Sequence, residues 1–413
     1  MPVELPVLQF RDAAPRPPRP FVWLALFVAF MLAGVVGTLL TWPNAEPSGS
    51  AWFWTRLLAL PPLAWCMVFG LRLHYFDEEN DRLRAEEETI EQDRTTALRF
   101  AREPLAVIGY AYICALGRAN VAGEISLGQK KVLAASTPRA GGKAIRHSAI
   151  DVAVKDQQPE RYRACFEDLI VHMSEVLTDL PRTVPLDVRI QLPTDVDHTQ
   201  LLETWKACWQ ASELRSASAS LLPSEPGLMA LDAWLDIKGG PALEKFTLFV
   251  SVQLHDRPSE NSAEAAVALL LGWAPLAERR GLKPLAMLHR PVEADETALN
   301  VAIQKVLLWG KATAVQINDL WQVGLERKDK PALINSASDL SLGVLQADNF
   351  AGIHDIDLAL GYPGVAAGWL ATALAIEHAL QTDGPQLISW RERSLRLAIA
   401  QPITPADETE SRA

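Results

Sequence analysis

Four cysteines, Cys66, Cys114, Cys165 and Cys208, and eight histidines, His74, His147, His172, His198, His255, His289, His354 and His378, are the strongest nucleophiles and metal ligands this sequence offers. The thiols lie far apart and form no CxxC pair, which points to free thiols in a reducing compartment rather than a disulfide framework. The histidines show no HExxH or HxH spacing and no carboxylate-rich loop accompanies them, so neither a metal nor a cofactor is expected. No GxSxG elbow nominates a serine, and no P-loop or GxGxxG follows the first strand. His354 and Asp355, beside Asp357, remain as a polar cluster near the face where a ligand would bind. The more ordinary reading of three such residues in a loop is a solvated surface.

The elements that would have to position these residues divide the chain. Phe21 to Trp42 carries no charge, and about 20 apolar residues rising 1.5 Å each cover a hydrocarbon core of about 30 Å. Ala51 to Leu71 is a second span, interrupted by Pro61 and Pro62, which should kink it, with Arg56 free to snorkel toward the interface beside Trp52 and Trp54. A cleavable signal peptide would have a shorter apolar region and would not be followed at once by a second one. Arg11, Arg16 and Arg19 precede the pair and Arg72, Arg82 and Arg84 follow it, whereas Pro43 to Ser50 has no basic residue. By the positive-inside rule both termini face the cytoplasm. Residues 1–20 read as a proline-rich tail, 21–75 as a transmembrane hairpin, 76–103 as a charged juxtamembrane helix, 104–401 as a folded domain and 402–413 as a disordered tail. The net charge of −11 lacks the clustered Lys and Arg that phosphate neutralisation needs, so nucleic acid is not an expected partner.

Within the folded part, Leu105 to Tyr112 is a short apolar run of the kind a buried strand presents. Arg163 to Leu180 places Phe166, Leu169, Ile170, Met173, Val176 and Leu177 on one helical face, and Val184 to Leu192 then alternates as a strand. Leu201 to Gln210 is an amphipathic helix, Phe246 to Leu254 and Ala265 to Leu271 are buried strands, and Val365 to Leu380 is an alanine-rich buried helix. Gln386 to Trp390 and Ser394 to Ala400 are two strands around a charged turn. The mixture predicts an α/β domain whose sheets are covered by helices.

The stretches Pro104 to Gly117, Leu186 to Pro193, Ser262 to Leu271, Arg280 to Leu288 and Gly361 to Leu370 resemble, in that order, motifs of the thiolase-like fold, in its β-ketoacyl synthase branch. The resemblance implies a layered α/β domain behind the hairpin. It also implies a nucleophilic cysteine at a helix N-terminus and two histidines, or a histidine and an asparagine, that stabilise a thioester oxyanion. Neither matches: no cysteine has the small-residue surroundings of that nucleophile, and Tyr362 stands where the family would place a histidine after glycine. Cys208, the nearest by position, shares a helical face with Leu201 and Trp205 and reads as core. The expectation is a pseudoenzyme without catalytic residues, with His354, Asp355, Asp357 and Tyr362 as candidate ligand-face residues.

Similar degenerate thiolase-like proteins occur beside bacterial type VI secretion effectors. By resemblance, the chain is expected to be an adaptor or chaperone in the bacterial inner membrane that binds an effector or a component of the apparatus. The alternatives are a membrane-bound acyl-processing enzyme with a relocated nucleophile, and a structural subunit that forms homo-oligomers through its hairpin.

Overall fold

The computed structural model describes residues 17–43, 47–128, 131–137, 141, 143–152, 158–223, 225, 227–295, 298–346 and 350–403. Most of the proline-rich tail and all but two residues of the C-terminal tail lie outside them. The chain forms two compact units that divide between Arg99 and Phe100.

In the first unit, α1 (Pro20–Thr41) is followed by α2 (Ala51–Trp54), which runs through a π-helical turn, Thr55–Ala59, into α3 (Leu60–Ala101). Both continuous helices are long and apolar enough to cross a membrane. The sequence predicts a kink at Pro61 and Pro62. The irregularity falls one step earlier, where the Leu60 amide bonds back to the Thr55 carbonyl, and this wide turn accommodates residues that have no N–H to give. The two helices pack through aromatic rings: Trp65 donates to the Trp23 carbonyl at 3.0 Å, Trp23 packs on Phe69 at 5.0 Å, and Phe27 meets Trp65 edge-on at 5.2 Å. Arg56 donates to the Thr41 hydroxyl at 2.9 Å. The charged stretch from Asp77 continues α3 as a largely exposed helix.

The second unit is built on an 11-stranded sheet. Its strands are β1 (Leu105–Cys114), β4 (Leu186–Gln191), β5 (Ser218–Leu221), β6 (Phe246–Gln253), β8 (Ala265–Trp273), β9 (Ala286–Leu288), β10 (Val292–Ala294), β11 (Asp319–Val323), β12 (Ile353–Asp355), β13 (Gln386–Arg391) and β14 (Leu395–Pro402). A small second sheet holds β2 (Ala134–Ser136), β3 (Ile145–Ser148) and β7 (Ser262–Ala263). The helices are α4 (Val121–Ser126), α5 (Gln158–Asp179), α6 (His198–Ala211), α7 (Ala230–Leu235), α8 (Ala274–Arg279), α9 (Leu299–Trp309), α10 (Asp329–Asp339), α11 (Ile356–Ala359) and α12 (Ala367–Thr382).

The strand order contains a repeat. From the central antiparallel pair β1 and β9, one half reads outward β1-β8-β6-β4-β5 and the other β9-β14-β13-β11-β12. Numbered within each half, both are 1-5-4-2-3, and in both the first two pairings are antiparallel and the last two parallel. Alternation along β1 and β8 separates two cores. Leu105, Val107, Val267 and Leu269 face an inner core with α12, whereas Ala106, Ile108, Ala268 and Leu270 face an outer core with α5 and α6. α12 packs against strands of both halves, namely β13, β14 and β11 on one side and β8 and β1 on the other. Its alanines make this close approach on every face sterically feasible.

Two buried carboxylates are satisfied by several donors each. Glu264 accepts from Arg161 at 2.5 Å and from the Ile150 and His255 amides at 2.9 Å each. On α12, Glu377 accepts the Tyr112 hydroxyl and the Asn120 and Ala122 amides, all at 2.8 Å.

Candidate functional site

Ligands in open α/β folds sit beyond the carboxyl ends of parallel strands. At that end of β11 the chain turns at Gly324, whose amide donates to Asp357 Oδ2 at 2.8 Å. Tyr362 arrives from the loop after α11. Its amide donates to the Asn261 carbonyl at 2.8 Å, and its carbonyl accepts from Ala263 at 2.9 Å, so its backbone is bonded to the opposite half. Gly361 makes this crossing: its φ of +99° suits glycine, and a Cβ there would stand 2.8 Å from the Asn261 and Ser262 carbonyl oxygens. The Tyr362 ring covers Gly324, where an added Cβ would meet Cε2 at 2.6 Å. Burial, then Glu392 and Asp357, push the phenol's pKa up, so it stays protonated. Burial, then Asp355, push the Asp357 carboxyl up to about 6, and its Oδ1 is buried with no hydrogen-bond partner among the described residues.

The 3-10 turns that lead into two inner helices each give an amide to a side chain distant in sequence. Before α12, the Val365 amide donates to Gln253 Oε1 at 3.2 Å. Before α7, the Leu228 amide donates to Glu392, a half-buried carboxylate on the turn between β13 and β14 that also pairs with Arg396. Gly227 lies directly under Glu392 with φ of +48°, and a Cβ there would collide with the carboxylate. Burial pushes the Glu392 carboxyl up, with Arg396 and the Leu228 amide opposing. The Leu228 and Val365 amides are thus both engaged by internal side-chain acceptors.

The four candidate ligand-face residues separate into two groups. Asp357 and Tyr362 meet at Gly324. Asp355 caps α11 through the Leu358 amide at 3.1 Å and pairs with Lys330 beside them. His354, its neighbour on β12, points to the other side of the strand, as alternation requires, and hydrogen-bonds Asp319 at 2.8 Å. Sequence spacing gave no sign of a ligand cluster, yet the fold brings Asp319, His354 and His378 together, with their ligating atoms all within 4.8 Å. Burial opposes ionisation of Asp319, but hydrogen bonds from His354 and His378 outweigh it and hold the carboxyl below its ordinary range.

The three thiols of the folded domain are all pushed up. Burial pushes Cys114 up to about 11 and Cys165 up to about 12. Cys208 is raised by burial and then by Glu167, whose Oε1 lies 3.9 Å from its sulfur. Cys66 lies in the second apolar helix. Gln253, Glu392 and Gly227 were not singled out from sequence, because their pairing spans more than a hundred residues. His378 carried a usable signal: with Glu377 it interrupts the apolar face of α12, and buried polar groups demand partners.

This geometry is that of a thiolase-like ketosynthase fold. An oxazolomycin ketosynthase domain from Streptomyces albus JA3453 superposes with a TM-score of 0.52 at 13% identity, over 73% of this chain and 75% of that one. Ketosynthase twelve from the bacillaene polyketide synthase of Bacillus amyloliquefaciens gives 0.52 at 12%, over 74% of each chain. The ketosynthase from module 1 of the bacillaene synthase of the FZB42 strain of that organism gives 0.50 at 14%, over 74% and 77%. At such identities the likeness concerns fold alone. No protein-family profile and no curated protein matches the sequence.

Proposed function

We propose that this chain is a non-catalytic, membrane-anchored adaptor or chaperone, in which a thiolase-like domain is retained as a shell for binding a protein partner. The observation that carries the reading is the self-capped centre: Glu392 accepts the Leu228 amide at one inner helix, Gln253 accepts the Val365 amide at the other, and Tyr362 covers Gly324. A ketosynthase reaction needs an ionisable thiol and free oxyanion donors, and burial raises all three thiols of the domain. The membrane anchor rests on the two apolar helices. An orientation with the N-terminus and the domain in the cytoplasm of a bacterial inner membrane rests on the flanking arginines. A role in loading type VI secretion effectors rests on family resemblance.

The test is to incubate the full chain, purified in detergent, with an electrophilic acyl mimic across neutral pH and to read each cysteine by mass spectrometry. Cys114, Cys165 and Cys208 are expected to label more slowly than in the unfolded chain. Faster labelling of any one of them in the folded chain overturns the reading in favour of a thioester enzyme.

A further inference from the structure

We propose that Asp319, His354 and His378 form a binding site for a divalent first-row transition metal, with zinc(II) the ion best matched to the donors. Asp319 opens β11, whereas Gly324 follows its last residue, so five residues at about 3.3 Å each put Asp319 ~16 Å along the strand from Gly324. Among the described residues the three donors share no hydrogen bond with the self-capped centre, and the site is independent of whether the adaptor reading holds.

Three features distinguish the cluster from an ordinary polar patch. First, the two imidazoles converge on one atom: His354 Nε2 and His378 Nε2 lie 2.8 and 3.2 Å from the same Asp319 Oδ1. Ligand atoms about 2.0–2.1 Å from a tetrahedral zinc are ~3.3 Å apart, so small rotations of three side chains would admit the ion. Secondly, each donor stands on a different rigid element, β11, β12 and α12, and both histidines are nearly buried, at 3% and 7% exposure. The Trp321 ring packs on His354 at 4.5 Å and on His378 at 5.5 Å and shields the donors from water. Thirdly, the carboxylate is itself oriented. Gln386 Nε2 donates to Asp319 Oδ2 at 3.3 Å, and Gln386 Oε1 accepts the Trp321 indole N–H at 3.0 Å. Such outer partners tune metal ligands. Two neutral imidazoles and one carboxylate form a borderline donor set that suits zinc better than calcium or magnesium, which require oxygen. Asp319, half-buried, is the most exposed of the three donors, which leaves its side for a fourth ligand such as water. The ion would tie β12 and α12 to the first residue of β11.

The test uses the full chain in detergent, stripped by a chelator, titrated with Zn²⁺ against a chromophoric competitor and, separately, with Co²⁺. One zinc per chain and four-coordinate Co²⁺ absorption are expected. His354→Gln and His378→Gln should each weaken binding by on the order of 100-fold, and Gln386→Leu by roughly 10- to 100-fold. His74→Gln, at an exposed site, should change nothing. Asp319→Asn, which keeps an oxygen acceptor, serves if the histidine variants do not fold. Absence of stoichiometric zinc binding by the parent chain, or affinity unchanged in folded ligand variants, overturns the proposal.

Discussion

The two halves of the sheet share one strand order and differ in their inner helices. In the second half α12 spans 16 residues and is buried over nearly all of its length. Its counterpart in the first half, α7 with the 3-10 turn before it, covers only Gly227 to Leu235. At the start of that turn the chain has a glycine under the Glu392 carboxylate. The comparison teaches that one strand order is compatible with inner helices of very different length.

Both inner helices place a tryptophan near Phe249 of β6, which permits a direct comparison. Trp369 stacks on it at 5.1 Å and donates to Gln191 at 2.5 Å, whereas Trp234 lies at 6.0 Å and donates to the Ala242 carbonyl. Truncation to alanine should cost about 4–5 kcal/mol at Trp369 and about 3 kcal/mol at Trp234, read by urea unfolding of the folded domain's near-ultraviolet circular dichroism. Equal costs would show that the short helix contributes as much to the core as the long one.

A smaller effect isolates the capped N-terminus. Gly227→Val meets both the positive φ and the Glu392 carboxylate and should destabilise by about 2–3 kcal/mol. Combined with Glu392→Ala, its additional cost should fall by about 1 kcal/mol in a double-mutant cycle. Strict additivity would mean that Glu392 does not fill the space above Gly227.

The smallest expected effect is pH-dependent. Asp357, held up to about 6 by burial and by Asp355, binds a proton more tightly folded than unfolded. Its stabilising contribution is complete below the ordinary carboxylate pKa of about 3.9 and is lost as pH rises through about 6. Asp357→Asn, which can still accept from Gly324, should therefore raise stability by about 1–2 kcal/mol at pH near 7.5 and leave it nearly unchanged near pH 4. The same thermal shift at both pH values would detach the effect from this titration.

Much of the architecture was legible from local pattern. The apolar run of β1, the one-sided helix α5, the alternation of β4 and the alanine-rich α12 fall where periodicity places them. The candidate site was legible only in part. Tyr362 at the strand ends was found through a motif, but its partners Gly324, Asn261 and Glu392 lie 30 to 101 residues away and carry no local signal. His354 was grouped with Asp355 because they are adjacent in sequence, and strand alternation sends them to different partners.

By itself, then, the sequence determined what depends on short-range physics: two stretches long and apolar enough to cross a membrane, the helices and strands of a layered α/β domain, and thiols with no ligand spacing. The tertiary structure decided which polar groups meet. Pairing of β11 with β12 and β13, and the passage of α12 between the halves, bring Asp319, His354, His378 and Gln386 to one point and set Glu392 over Gly227. Hydrophobic periodicity repeats every two or about four residues and can be read along a chain. Proximity of side chains separated by 35 to 165 residues follows only from how sheets and helices close on one another.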